Sequence, residues 1–98
     1  MPKFLIERDF PGIQQMSSHE LQAISLKSRN ILEELGPQIQ WQQSYILNDK
    51  LFCVYIAPNP EMIKEHGRRG DFPVNDIYEV KAIIDSTTAD GYIFDKHE

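Results

Sequence analysis

Residues 39 to 56, Ile39-Gln40-Trp41-Gln42-Gln43-Ser44-Tyr45-Ile46-Leu47-Asn48-Asp49-Lys50-Leu51-Phe52-Cys53-Val54-Tyr55-Ile56, decide the fold. In the first half Ile39, Trp41, Tyr45 and Leu47 are set against Gln40, Gln42 and Ser44, the two-residue period of a strand with one buried face. The second half, Leu51 to Ile56, is an apolar run rich in aromatic and β-branched residues. Asn48-Asp49 between them suits a two-residue turn. A hairpin of residues 38 to 47 and 50 to 57 therefore occupies the middle of the chain.

Upstream, residues 3 to 9 read as a strand around Phe4-Leu5-Ile6, broken at Pro11-Gly12. A helix starts at Ser17-Ser18-His19-Glu20, a capping box in which the serine takes a free amide and the glutamate reaches back. Leu21, Ile24, Ile31, Leu32 and Leu35 recur at helical spacing as one buried stripe, and Gly36-Pro37 ends the helix. Downstream, Asn59-Pro60-Glu61 opens a second helix with a cap, a proline in the first turn and an acid at the positive end. It runs to about Gly67 or Arg69 and stops at Gly70. Ile77 to Asp85 reads as the fourth strand. Ser86 to Glu98 is a polar tail in which Tyr92-Ile93-Phe94 could dock on a neighbour.

The order is β-α-β-β-α-β. Right-handed crossovers turn it into a ferredoxin-like α+β sandwich, a four-stranded antiparallel sheet with both helices on one face. The 98 residues make one domain. The bare sheet face predicts a homodimer, a dimeric α+β barrel. No apolar run approaches the roughly 20 residues that span a bilayer. Met1-Pro2-Lys3-Phe4 has no signal-peptide core before Glu7, and the single Cys53 fits a reducing compartment, so a cytoplasmic setting is expected. A net charge of −5, with Arg68-Arg69 and Lys64 as the only basic cluster, argues against a nucleic-acid partner.

Register assigns the faces. If Leu47 pairs with Lys50, then Tyr45 opposes Phe52, Gln43 opposes Val54 and Trp41 opposes Ile56; that face is apolar and is expected under the helices. Gln42, Ser44, Cys53 and Tyr55 then fall on the open face. In the first strand Phe4 and Ile6 point to the core and Glu7 to the open side. The open face reads either as a wet dimer interface or as a shallow ligand site of Glu7, Ser44, Cys53 and Tyr55.

Among residues able to do chemistry, His66 stands three after Ile63 and four after Met62, on their helix face. It is a core histidine with one ring nitrogen satisfied, or a metal ligand or proton carrier. Cys53 is a small buried hydrophobe or a soft ligand for nickel, copper or zinc. Arg69, with Arg68, is a solvated helix end or an anion-binding residue. His19 and His97 fall in exposed positions. No zinc spacing, nucleotide-binding glycine pattern or catalytic triad is present.

Phe4-Leu5-Ile6-Glu7-Arg8-Asp9, Leu35-Gly36-Pro37 with Ile39-Gln40-Trp41, Phe52-Cys53-Val54-Tyr55-Ile56-Ala57-Pro58 and, most clearly, the stretch from Met62 to Pro73 (Met-Ile-Lys-Glu-His-Gly-Arg-Arg-Gly-Asp-Phe-Pro) occur together. This combination resembles a bacterial family of small ferredoxin-like proteins classed as a domain of unknown function and often labelled nickel-binding. The resemblance implies a homodimer, a cytoplasmic setting and histidine-rich nickel sites. Cys53 matches the family's strand-three cysteine and His66 its helix-two histidine. Where nickel-labelled members carry paired histidines at the end of strand one, this chain has Arg8-Asp9, so only Asp9 could coordinate. Those members also carry a glycine-histidine step after helix two, and this chain has Phe72 near that place.

Three readings follow. The first is a dimeric binding protein without catalytic activity, holding Ni2+, Zn2+ or Cu2+ or a small ligand through His66, with Cys53, Glu7 or Asp9 in support. The second is a small monooxygenase or isomerase of the dimeric barrel type, with His66 as acid or base and Tyr55 as orienting donor. The third is a structural or interaction module. A pocket with a tyrosine, a histidine and no metal would favour the second reading, and a closed open face with no cavity the third.

Overall fold

The structure is a computed structural model that describes residues 1–91; Tyr92-Ile93-Phe94 and His97 lie outside the described residues. Its elements are β1 (Lys3–Asp9), α1 (Ser18–Leu35), β2 (Gln40–Leu47), β3 (Lys50–Ile56), α2 (Pro60–Gly70) and β4 (Asp76–Val80), with short 3-10 turns at Ile13–Gln15 and Ser86–Asp90. The strands form one antiparallel sheet in the order β2-β3-β1-β4, the ferredoxin-like arrangement.

Local chemistry sets the helix ends. Ser17 Oγ accepts from the Glu20 amide at 3.1 Å, and Glu20 Oε1 accepts from the Ser17 amide at 3.0 Å, which completes the capping box. Gly36, at φ 104°, closes α1 in a conformation that a side chain disfavours. Asn59 Oδ1 caps α2 through the Met62 amide at 3.0 Å. No helix among the described residues is long and apolar enough to cross a membrane.

Both helices cover the same sheet face. Phe4, Ile6, Cys53 and Tyr55 from the sheet meet Leu32 of α1 and Ile63 of α2 in one buried cluster, joined by Ile39 and Ala57. Phe4 opposes Tyr55 and Ile6 opposes Cys53, so the burial of β1 fixes which side of β3 is inside.

Two sequence expectations are corrected here. The hairpin pairs as expected from Leu47–Lys50 to Gln43–Val54, but its faces are exchanged: Cys53 and Tyr55 lie under the helices, while Phe52, Val54 and Ile56 line the open face with Leu5 and Glu7. β3 is apolar on both sides, so alternation within it cannot choose. Its pairing with β1 does. A β-bulge between Trp41 and Gln43 then resets the register, so that Trp41 opposes Tyr55 rather than Ile56. Ser44 opposes Cys53 and therefore also faces the helices, where Trp41 Nε1 donates to its Oγ at 2.8 Å. The second correction concerns β4, which ends at Val80 rather than Asp85. Val80 opposes Lys3, the first residue of β1, and the ladder with β1 stops there.

The hairpin tip holds the loop after β1. Asp49 Oδ1 accepts from the Gly12 amide at 2.8 Å and from Gln14 Nε2 at 3.3 Å, and the Asp49 carbonyl accepts from the Phe10 amide at 2.9 Å. Gln14 Oε1 in turn accepts from the Asp49 amide at 3.0 Å.

On the other side, the segment after α2 presses on its glycines. A Cβ at Gly67 would stand 2.8 Å from Val74 Cγ2 and 3.1 Å from the Phe72 carbonyl oxygen, and one at Gly70 would enter the Phe72 ring. Gly67→Ala is therefore expected to lower stability by about 1–3 kcal/mol, the range for overpacking a filled site, read from the urea midpoint. A midpoint equal to that of the parent would show that residues 72–74 yield freely.

Candidate functional site

Between α1 and the sheet lies a pocket of about 200 Å³. Leu21, Ile24, Ser25 and Ser28 of α1 form its roof. Arg8, Trp41, Ser44, Cys53 and Tyr55 form its floor, His66 and Phe72 one wall, and Phe10 and Ile13 contribute from the loop after β1.

Its polar residues are placed by the fold rather than by solvent. Phe4, Ile6 and Arg8 are alternate residues of β1 and share the helix-facing side, and each is 2 % exposed or less. Arg8 Nη1 donates to the Pro73 carbonyl at 2.8 Å, and its guanidinium lies 5.9 Å from the centre of the Phe72 ring. Arg8 Nη2 is buried with no hydrogen-bond partner, and Arg8 has no carboxylate partner among the described residues.

His66, 1 % exposed, faces α1 from α2. Its Nε2 lies 3.0 Å from Ser28 Oγ, and its Nδ1 is buried without a partner. Its ring is flanked by Tyr55 at 5.6 Å and Phe72 at 5.4 Å between centroids. Burial first, and the charge of Arg8 second, push the His66 pKa down to about 4, against the Ser28 hydrogen bond. Burial first and neighbouring Cys53 second push the Tyr55 hydroxyl up to about 12, against the pull of Arg8 and Ser28.

The residues singled out in the sequence divide into two sets. His66, Cys53, Tyr55 and Ser44 meet in this pocket. Glu7 and Asp9 do not. Lys50 donates to Glu7 at 2.8 Å and to Asp9 at 2.9 Å, and Asp9 also accepts from Asn75 at 3.0 Å at the exposed end of β1. Arg69 is on the outer side of α2, where its Nε donates to Glu65 at 2.7 Å and its Nη1 lies 3.9 Å from Glu34. The supposed open-face site of Glu7, Ser44, Cys53 and Tyr55 is thus split by the sheet.

Arg8 and Ser28 escaped the sequence reading. The period of β1 continues from Phe4 and Ile6 to Arg8, and Ser28 fills the turn missing from the apolar stripe of α1 between Ile24 and Ile31; each was a readable signal.

Residues 4–80 match the family described as nickel responsive protein SCO4226-like. The chain belongs to that family. Its fold is similar to the crystal structure of SCO4226 from Streptomyces coelicolor A3(2), with a TM-score of 0.69 and 15 % identity over 84 % of this chain and 99 % of that one. No curated protein matches the sequence.

The name of the SCO4226-like family raises nickel as a ligand. Among the described residues, no three His, Cys, Asp or Glu side chains form a group that could hold a metal ion. Cys53 and His66 share the pocket, but the third metal candidate, Asp9, is engaged outside it by Lys50 and Asn75. The described residues do not fit a resident nickel ion.

The depressed His66 pKa makes stability depend on pH. Unfolding returns the ring toward 6.5, so between that pH and about 4 the unfolded chain binds more protons than the folded one. The stabilisation is complete above pH 6.5 and falls as pH drops through this window. From pH 7 to pH 4 the parent protein is expected to lose about 1–2 kcal/mol more than His66→Gln, measured by urea denaturation at each pH. Parallel losses would show that the folded ring takes up its proton freely.

Proposed function

We propose that this SCO4226-like chain is a homodimeric binding protein without catalytic activity, whose ligand is an organic molecule held in the pocket beneath α1. The observation carrying this reading is that two buried side chains on the pocket wall, Arg8 and His66, each keep a nitrogen with no partner. Buried polar groups are nearly always satisfied, and an unsatisfied one marks a place where a partner is expected. The rest of the lining is mainly apolar, with the hydroxyls of Ser25, Ser28, Ser44 and Tyr55 among it, as ligand sites commonly are.

Catalysis of the monooxygenase or isomerase type is the rival reading, and the closeness of Tyr55 and His66 favours it. Their proton affinities weigh against it. A base near 4 and an acid near 12 are both far from neutral, where general acid–base catalysis works best. Nickel is the rival ligand. Cys53 and His66 offer it two donors, short of the set a transition-metal site gathers.

The pocket reading is tested through Trp41, the single tryptophan, which lies on the pocket floor. Cyclohexanecarboxamide, a neutral one-ring probe without aromatic absorbance, is expected to change Trp41 emission saturably. Ser25→Leu, which fills the roof, should abolish that change while preserving the circular dichroism spectrum. Calorimetry with nickel on chelator-stripped protein should show no stoichiometric site at micromolar affinity. Such a site, lost in His66→Ala, would replace the organic ligand by the metal.

The proposed partner is a second copy. Leu5, Phe52, Val54 and Ile56 are half-buried on the open face, and Tyr45, Leu47 and Tyr78 around them are 51 %, 47 % and 48 % exposed. An apolar surface of this kind on a small chain supports association. Sedimentation equilibrium is expected to give twice the mass of one chain, and Val54→Lys at the centre of that face to give the single mass. A monomeric parent protein would remove the dimer from the reading.

A further inference from the structure

We propose that the ligand is a small organic acid of one ring, its carboxylate seated between Arg8 and His66 and its ring against the apolar roof. This rests on the pocket reading above and adds the charge and size of the ligand to it.

The charge follows from what Arg8 lacks. Several surface cations are paired: Lys50 with Glu7 and Asp9, Arg68 and Arg69 with Glu65, Lys81 with Glu79. All of these are at the surface, where pairing matters least. Arg8 is the buried one, 2 % exposed, and no described carboxylate meets it. Arginine stays protonated in proteins, so its charge cannot be relieved by losing a proton. A carbonyl at Nη1 and the face of Phe72 answer part of that charge and leave Nη2 buried without a hydrogen-bond partner. A second cation, Lys27 Nζ, lies 5.2 Å from the centre of the same Phe72 ring. An anion is the complement of this arrangement, and a neutral ligand would leave the charge unanswered.

His66 supplies the second donor. In the tautomer in which Ser28 Oγ–H donates to Nε2, the proton of the neutral ring sits on Nδ1, the nitrogen without a partner, and a bound carboxylate would select that tautomer. A carboxylate has two oxygens and can accept from Arg8 Nη2 and His66 Nδ1 together, whereas a primary carboxamide offers one acceptor and turns its NH2 toward a donor. Size sets the rest. A cavity of about 150 Å³ holds benzene, so about 200 Å³ admits one ring with a carboxyl group, and a larger ligand would extend out through the pocket's open side.

The test compares cyclohexanecarboxylate, cyclohexanecarboxamide and acetate on the full chain, read by Trp41 emission at fixed ionic strength. The acid should bind about tenfold or more tightly than the amide, and Arg8→Gln should bring that ratio close to one. Acid and amide binding alike would overturn the carboxylate assignment and leave the organic pocket standing. Binding of neither would overturn both. Acetate binding as tightly as the ring acid would overturn the ring. Should Arg8→Gln fail to fold by circular dichroism, the ratio of acid to amide on the parent protein decides alone.

Discussion

A guanidinium buried at the end of β1 constrains this end of the molecule. Phe4 and Ile6 commit one side of β1 to the interior, and the strand period carries Arg8 in with them. The charge must then be met by whatever lies above it. The Pro73 carbonyl meets one nitrogen and the Phe72 face covers the group, which draws residues 72–74 down onto α2. Only a helix with glycine at positions 67 and 70 can receive that segment at this distance. The closeness of Phe72 to His66 and the shape of one pocket wall follow from accommodating a single charged side chain.

Much of the fold was legible because its punctuation is local. Ser17 with Glu20, Gly36-Pro37, Asn59-Pro60 and Asn48-Asp49 each impose a start, a stop or a turn through their own backbone chemistry, and the elements between them follow. What could not be read locally was decided by partners distant in sequence. β3 carries apolar residues on both faces, so only its pairing with Phe4 and Ile6 tells which face is inside. The extra residue at the Trp41–Gln43 bulge leaves no compositional trace, yet it turns Trp41 and Ser44 to the same side. β4 is short because β1 begins at Lys3, and nothing within residues 81–85 says so.

The site was legible by residue type but not by grouping. His66 and Cys53 stand out in any reading for reactive side chains, and Tyr55 and Ser44 were placed together, although on the wrong face. Arg8 entered the sequence analysis only as the neighbour of Asp9, in a stretch where the family resemblance implied paired histidines. Its own chemistry, a permanent charge on the inward side of a strand, pointed to an anion rather than a metal. Family membership here fixes a scaffold, while the polar residues of the pocket set what that scaffold can hold. An imidazole kept neutral beside a buried guanidinium is a poor start for a cation site and a good one for an acid.

The hairpin tip has a mechanical consequence. Residues 10 to 14 belong to no strand; they hang from Asp49, which grips them by backbone and side chain at once. Phe10 and Ile13, the part of this loop that borders the pocket, therefore ride with the tip of β2 and β3 rather than with the helices above them. The hairpin acts as a lever whose far arm is the rim of the cavity. A force applied to the hairpin tip would reach the rim of the pocket without passing through the core.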